Sequence, residues 1–341
     1  MSIYPENSKI KALIDDSKHV VIMQADNPDG DSLASALALD QILGELGKEI
    51  TLYCGVNIPS YLTYLKGWDR VTKELPKQFD LSIIVDVSAI SLFENLQKSG
   101  QLGWVAAKPS IIIDHHAVDV SILFATVICN KPAVATGEVI YELGEQLKWK
   151  LNHTAKEFLA ISILSDSLGL ISEGTSARSI HIIAELVENG VKLAELENAR
   201  REMMRKSIEL TRYKGKLLER IEYFDDNRIA TITIPWSEIE KYSHAYNPSM
   251  LVIDDMRLTE GTDVAIAFKV YHDGKVTAKI RCNYGRTIAN DLAGHFGGGG
   301  HPYASGFKIT NGTTIDQLKT AVTKEAISLL DKQSQKANEA I

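Results

Sequence analysis

The sequence predicts an α/β protein: an N-terminal, mainly parallel sheet flanked by helices, then a linker helix, then a smaller C-terminal α+β domain. Three observations carry this. Between residues 19 and 130, short β-branched runs without strict alternation are separated by helical patterns, as expected of strands buried on both faces of a parallel sheet. A charged stretch with no proline and one glycine follows at residues 192–222. Beyond it, strand patterns flank Asp273 and Gly274, a hairpin signal.

In chain order, HVVIMQA reads as the first strand and is followed by a helix ending near Gly47. EITLYC, LSIIVDVS, PSIIIDHH and ILFATVIC read as further strands. From residue 133 to 188 the pattern turns helical: VIYELGEQLKW, TAKEFLAISILSD and ARSIHIIAELVE each space apolar residues by three or four, so these helices are expected to cover the sheet. The charged stretch reads as one long exposed helix. The expected division is therefore 1–190, a linker at 191–224, and 225–341. In the last part RIATITI, DVAIAFKVYHDGKVTAKIRC and GFKIT read as strands, TIANDLAGHF and IDQLKTAVTKEAISLL as helices, and the polar C-terminal tail is expected to fray.

A chain of 341 residues with 45% hydrophobic composition can bury a substantial core. Its net charge of -7 excludes a general role in coating duplex nucleic acid, while leaving room for a local basic patch and for small anionic substrates. Cys54, Cys129 and Cys282 form no CxxC pair, which argues against a disulfide framework or a thiolate zinc site. The N-terminal MSIYPENSKIKALIDDSKH is too polar for a signal peptide, and no apolar run approaches the roughly 18 residues needed to span a bilayer. A cytoplasmic protein without a membrane partner is expected.

Acidic and imidazole residues recur just beyond apolar strands or near the end of an apolar helix: Asp29 and Asp31 after VVIMQA, Asp86 in SIIVDVS, Asp114-His115-His116 after SIII, and Asp166 in ISILSDS. In an open α/β sheet the carboxyl ends of the strands border the ligand crevice, so these residues are expected to converge. Taken singly, Asp31 reads as a helix N-cap, Asp86 as a turn residue, and His115 or His116 as an ordinary histidine. Taken together, they suit two divalent cations of the manganese or magnesium type, with oxygen ligands and some nitrogen. Such a pair supports phosphoester hydrolysis. A second constellation is Phe296-Gly297-Gly298-Gly299-Gly300-His301. Its glycines permit close approach of a ligand, and backbone N–H groups there, with His301, would suit a phosphate or nucleotide. The other reading is a flexible linker. Arg281 offers a fork of donors to a phosphate.

In this order the motifs resemble the DHH phosphoesterase superfamily, specifically its DHH plus DHHA1 subfamily, and within it NrnA-like enzymes. Those enzymes degrade very short oligoribonucleotides and, in some members, remove the 3′-phosphate of phosphoadenosine phosphate. The resemblance implies an N-terminal DHH catalytic domain with two Mn²⁺ ions, or Mg²⁺, and a C-terminal DHHA1 substrate-binding domain. Asp29 would bind one ion and Asp31 the other, with Asp86 bridging; His115 and Asp166 would complete the second ion. His116 would face the substrate phosphate or the leaving group. Arg281, Gly298, Gly299, Gly300 and His301 would hold the nucleotide end. Two positions depart from the family pattern: the motif histidine three residues before Pro28 is Ala25, with Gln24, Asp26 or Asn27 as substitutes, and Asp119 replaces a common asparagine.

The expected function is a manganese-dependent phosphodiesterase acting on short RNA or DNA oligonucleotides or linear dinucleotides and releasing nucleoside monophosphates. The alternatives are a phosphoadenosine phosphate 3′-phosphatase, a cyclic-dinucleotide phosphodiesterase, and a nucleotide-binding protein weakened in catalysis through Ala25. No sensory domain precedes the first strand, which counts against a membrane-tethered cyclic-dinucleotide enzyme. Family resemblance also implies a homodimer.

Overall fold

The computed structural model describes residues 4–117, 119–310 and 312–339. The chain divides into two compact units, Met1–Arg205 and Lys206–Ile341. In the first, the elements are α1 (Asn7–Asp16), β1 (His19–Gln24), α2 (Gly30–Glu45), β2 (Glu49–Cys54), β3 (Leu81–Val85), α3 (Glu94–Lys98), α4 (Leu102–Ala106), β4 (Ser110–Asp114), β5 (Val127–Asn130), α5 (Thr136–Leu147), α6 (His153–Asp166), α7 (Ala177–Glu188) and α8 (Leu193–Met203). The five strands are all parallel, in the order β2-β1-β3-β4-β5.

The apolar runs fill both sides of this sheet because alternate residues face opposite ways. Val20, Ile22, Ile83, Val85, Ile111 and Ile113 join the core containing residues of α2, α5, α6 and α7. Val21, Met23, Ile84 and Ile112 pack on the other side with Leu96 of α3 and Val105 of α4. Helix α2 is buried almost all round and lies close against α6. A Cβ on Gly30 would come within 2.2 Å of the Ser165 hydroxyl, so only glycine permits this approach of the α2 start to α6.

Two strand and helix expectations change. The run ILFATVIC is a strand only from Val127; Leu123 is 91% exposed, and a turn closes from the Ala125 N–H to the Ile122 carbonyl. Apolar composition misleads there because Ser121 ties the segment to the loop after β3, donating its N–H to the Ser88 carbonyl. The linker expected as one helix over 191–224 is broken at residues 204–207. Ser207 starts a new helix by accepting a hydrogen bond from the Leu210 N–H, a capping arrangement that favours a fresh N-terminus.

The second unit contains α9 (Ile208–Leu218), β6 (Glu222–Phe224), β7 (Ile229–Ile234), α10 (Trp236–Tyr242), α11 (Ile253–Arg257), β8 (Val264–Val270), β9 (Val276–Cys282), α12 (Ala289–His295), β10 (Gly299–His301), β11 (Ala304–Ile309) and α13 (Ile315–Glu339). Its sheet is mixed, in the order β10-β11-β9-β8-β7-β6, with β7 and β8 parallel and the other pairs antiparallel. The β8–β9 hairpin turns at Asp273 and Gly274 as expected. One face of the sheet packs on α12 and α13 through Ile266, Phe268, Ala278, Ile280 and Phe307. The opposite face of β7 and β8 is covered by α9, α10 and α11. Along β9, buried Val276, Ala278, Ile280 and Cys282 alternate with half-buried Thr277, Lys279 and Arg281. The tail expected to fray continues α13 to Glu339, and residues 340–341 lie outside the described residues. Cys54, Cys129 and Cys282 are buried and free. Among the described residues no helix is long and apolar enough to cross a membrane.

Candidate metal centre

The strands of the parallel sheet end at a common edge, and the chain delivers acidic and imidazole groups there from four separate segments. Asp31 stands in the first turn of α2, just after β1; Asp86 follows β3; Asp114, His115 and His116 end β4; Asp166 closes α6. The side chain of His115 sits among three carboxylates, its Nε2 3.6 Å from Asp31, 3.4 Å from Asp86 and 3.5 Å from Asp166. Its Nδ1 faces the Ala133 carbonyl at 3.1 Å, which fixes the ring and leaves Nε2 directed into the cluster. Nε2 is buried and, though near carboxylates, not aligned for a hydrogen bond with any of them.

The backbone places these groups at a cost. Asp86 has φ of +61°, a left-handed conformation that a non-glycine residue holds only when its surroundings require it. The Thr136 hydroxyl donates to Asp86 at 3.1 Å and its N–H donates to Asp31 at 2.7 Å, so one residue at the start of α5 positions both acids. Asp31, fully buried, also accepts from the hydroxyls of Ser35 and Ser162. Asp114 accepts the His115 N–H at 2.8 Å, the Ser88 hydroxyl, and lies 2.8 Å from His116 Nδ1. The second histidine is therefore held by its Nδ1, with 46% of its side chain exposed. Asn130 steadies the same turn by donating to the His116 carbonyl.

Electrostatically the cluster is unbalanced. Burial, and then the Asp31 and Asp29 charges, push Asp166 up to about 7. Asp86 stands well above the usual carboxylate range through burial and the Asp31 charge; Asp31 is raised by burial, against the opposing influence of His115. Burial works to lower His115, but the surrounding Asp86 and Asp31 carboxylates raise it to about 9. Asp114 goes the other way: although burial opposes it, hydrogen bonds from His116 and Ser88 keep its carboxyl below the ordinary value. The hydrogen bond to Asp114 likewise raises His116.

Carboxylates forced together in a buried space need protons or a cation. Two sets of ligand atoms lie within 4.8 Å of one another, Asp31 with His115 and Asp166, and Asp86 with Asp114, His115 and His116. The unpartnered His115 Nε2 aimed at three carboxylates fits a cation of the oxygen-and-imidazole type, and no thiol is present in either set.

The residues foreseen for this centre are thus largely brought together, with two adjustments. Asp29, rather than Asp31, is the N-cap of α2: it accepts the Ser32 N–H at 3.0 Å while Ser32 returns the bond. Asp29 stands outside both ligand sets, yet its charge reaches Asp86 and Asp166. Ala25 is buried in the core on the α3 and α4 side. Of its suggested substitutes, Asn27 is exposed and Asp26 accepts the Asn95 N–H at 2.7 Å. Gln24 is fully buried, with neither amide atom partnered, on the pleat that carries Ile22. Asp119 is exposed. Thr136, Ser162, Ser35 and Ser88 were not singled out from the sequence. The small hydroxyl residues in ATGEV and AISIL look like ordinary helix positions until the fold places them against the acids.

In the second unit, the glycine-rich segment is not the open loop expected. Gly299, Gly300 and His301 pair with Gly306, Ser305 and Ala304 of β11. The N–H groups of Gly297, Gly298 and Gly300 donate to Gly294, Ala293 and the Asn290 side chain, so they are already engaged. A Cβ on Gly298 would lie 2.2 Å from the Gly306 carbonyl, and on Gly300 2.7 Å from that of Ala304. These glycines are required by strand packing. His301 is exposed, and Arg281 is half-buried with Nη1 donating to the Ile280 carbonyl at 2.9 Å.

Comparison with known proteins agrees with this architecture. A family model described as "DHH family, N-terminal domain" matches residues 19–164, and a DHHA1 domain model matches residues 241–329. The bifunctional oligoribonuclease and PAP phosphatase NrnA of Bacillus subtilis (strain 168) is 23% identical over 88% of this chain and 92% of its own length. The protein of the same name from Thermus thermophilus is 25% identical over 85% of this chain and 84% of its own. Among solved structures, an exopolyphosphatase-related protein from Bacteroides fragilis shares the fold with a TM-score of 0.82 at 20% identity, covering 97% of each chain. With the two models matching in sequence and the Asp114-His115-His116 triplet at the heart of the acidic centre, this chain carries a DHH N-terminal domain followed by a DHHA1 domain.

Proposed function

We propose that this protein is a cation-dependent phosphodiesterase that hydrolyses short oligonucleotides or linear dinucleotides to nucleoside monophosphates. The observation that carries the reading is the meeting of Asp31, Asp86 and Asp166 around the unpartnered Nε2 of His115. The activities named for the similar proteins of Bacillus subtilis and Thermus thermophilus support the choice of substrate.

Asp31, His115 and Asp166 would hold one cation and Asp86 a second, Asp29 lending charge from the α2 cap. When bound, divalent manganese or magnesium polarises a phosphoryl group and lowers the pKa of water. The residues of the chain do the rest. Asp114 holds His116 by Nδ1 and raises its proton affinity, and the exposed imidazole edge would pass a proton to the departing ribose oxygen. Thr136 keeps Asp31 and Asp86 from separating. Arg281 and the exposed His301 would bind the nucleotide end, Gly298, Gly299 and Gly300 forming the strand that carries His301.

The test is release of mononucleotide from short RNA, pApA, a cyclic dinucleotide and phosphoadenosine phosphate, compared with manganese present. AMP from pApA and short RNA is the expected result. Binding of pApA without release of AMP would replace the hydrolase by a nucleotide-binding protein. A second reading, removal of the 3′-phosphate from phosphoadenosine phosphate, is favoured by the second activity in the relatives' names. Inorganic phosphate released from that substrate identifies it.

A further inference from the structure

The face of the second unit's sheet that α12 and α13 leave uncovered carries a strip of cations. Register fixes their places. Lys269, Thr277 and Lys308 lie in one cross-strand row over β8, β9 and β11; Ala267, Lys279 and Gly306 form the next; Ala265, Arg281 and Ala304 the third. Residues paired in register point to the same face, and successive rows are about 7 Å apart. Lys279 is therefore flanked on both sides by the smallest residues available, which opens a depression. Its volume is about 510 Å³, and its lining includes Ser249, Lys269, Thr277, Lys279 and Lys308.

The charges in this depression lack counter-charges. Lys269 is lowered by burial and then by the Lys279 charge, and Lys279 by burial and then by Arg281; among the described residues no carboxylate is found acting on either. The Lys279 ammonium has a thioether, Met250 Sδ at 3.6 Å, as its hydrogen-bond partner, and sulfur is a weak acceptor. Like charges half-buried beside one another raise the free energy of the protein alone and are relieved when an anion enters. Ammonium point charges beside the hydroxyls of Thr277 and Ser249 suit a phosphate, which accepts from several directions, better than a planar carboxylate, which calls for a guanidinium fork.

We propose that Lys269 and Lys279, with Lys308 at the rim, form a subsite for a second phosphate of the substrate, one row along the sheet from Arg281. This rests on the reading of the substrate as a nucleotide phosphoester and narrows it to substrates carrying a further phosphate. The second phosphate is either terminal, as in phosphoadenosine phosphate, or an internal diester, as in ApApA.

Calorimetric titration of the full chain without added metal tests the subsite, using AMP, phosphoadenosine phosphate, adenosine and ApApA. Charged hydrogen bonds of this kind predict about a tenfold or greater preference for phosphoadenosine phosphate over AMP, or for ApApA over adenosine, according to which phosphate is held. In Lys269→Ala/Lys279→Ala that preference should shrink to within about threefold, while Lys279→Arg retains it. Removing mutually repelling groups should not unfold the sheet; should the double variant fail to fold, Lys279→Gln is measured in its place. The subsite is refuted if the wild type shows neither preference or if the folded variant keeps it. Turnover does not enter this measurement. A selective but inactive protein would sink the hydrolase and leave the subsite standing, and an active, unselective one would do the reverse.

Discussion

The two units present opposite versions of one electrostatic situation. In the first, buried Asp31 and Asp86 and half-buried Asp166 crowd around a single imidazole, and desolvation with mutual repulsion lifts their proton affinities. In the second, half-buried Lys269, Lys279 and Arg281 crowd over small residues, and the same two causes lower the proton affinity of the lysines. Ordinary ion pairs elsewhere in the chain behave differently: Glu197 is lowered to about 2 by its hydrogen bonds to Arg200 and Arg201. A charge that has found its partner shifts toward ionisation, and one that has not shifts away from it. The unpaired clusters are thus where an external ion of opposite sign would be stabilised, a cation in one unit and an anion in the other.

The largest effect that would break this comparison comes from Asp86, which is raised by the cluster's charge and lies in one of the two candidate ligand sets. Asp86→Ala should reduce manganese-supported release of AMP from pApA by roughly a thousandfold or more, since loss of cation catalysis costs several kcal/mol. Initial rates on a variant with unchanged circular dichroism measure it, and a loss below tenfold would remove Asp86 from the reaction. Next is Thr136→Val, which keeps the β-branched shape and the N–H bond to Asp31 but deletes the hydroxyl on Asp86. Manganese affinity, followed by titration, should fall by about 10- to 100-fold. Unaltered affinity would show that the strained Asp86 backbone needs no such support.

The pH response sharpens the contrast. Asp166 rises from 3.8 to about 7 and His115 from 6.5 to about 9, so without cations the folded chain holds these protons more tightly than the unfolded one. The Asp166 contribution is fully present below its unfolded value of 3.8 and lost as pH rises through about 7; the His115 contribution is present below 6.5 and lost through about 9. The melting temperature of metal-free protein should therefore fall between about pH 6 and pH 9, and manganese should restore more of it at the alkaline end. An equal manganese effect at both ends contradicts a proton-loaded cluster. The smallest change is expected from the lysine strip: Lys279→Ala should leave the free energy of unfolding within about 1 kcal/mol of the wild type or slightly above it, because it relieves repulsion. A marked loss would mean that Lys279 is held by a partner.

Much of the fold was legible because burial on both faces leaves continuous apolar runs, as in VVIM, SIIV and SIII. The acidic residues just after them mark the carboxyl edge of that sheet for the same reason. What misled was local resemblance without its context. ILFATVIC has strand composition but turns at Leu123 because Ser121 is bound to the loop after β3. The charged stretch is helical on both sides of residues 204–207, and the Ser207 cap that divides it is a single side chain. Asp29 and Asp31 are two residues apart with the same chemistry; which one caps α2 depends on where the backbone bends.

Taken alone, the order of amino acids settled most strands of the parallel sheet and the helices that cover it, and which of their ends carry acids and imidazoles, since those properties depend on spacing within a few residues. The three-dimensional arrangement decided that Thr136 reaches both Asp31 and Asp86, that the glycines serve β10, and that Lys269, Lys279 and Lys308 share one face. These depend on register and approach between residues far apart in the chain, where the energy lies in partners that no local pattern specifies.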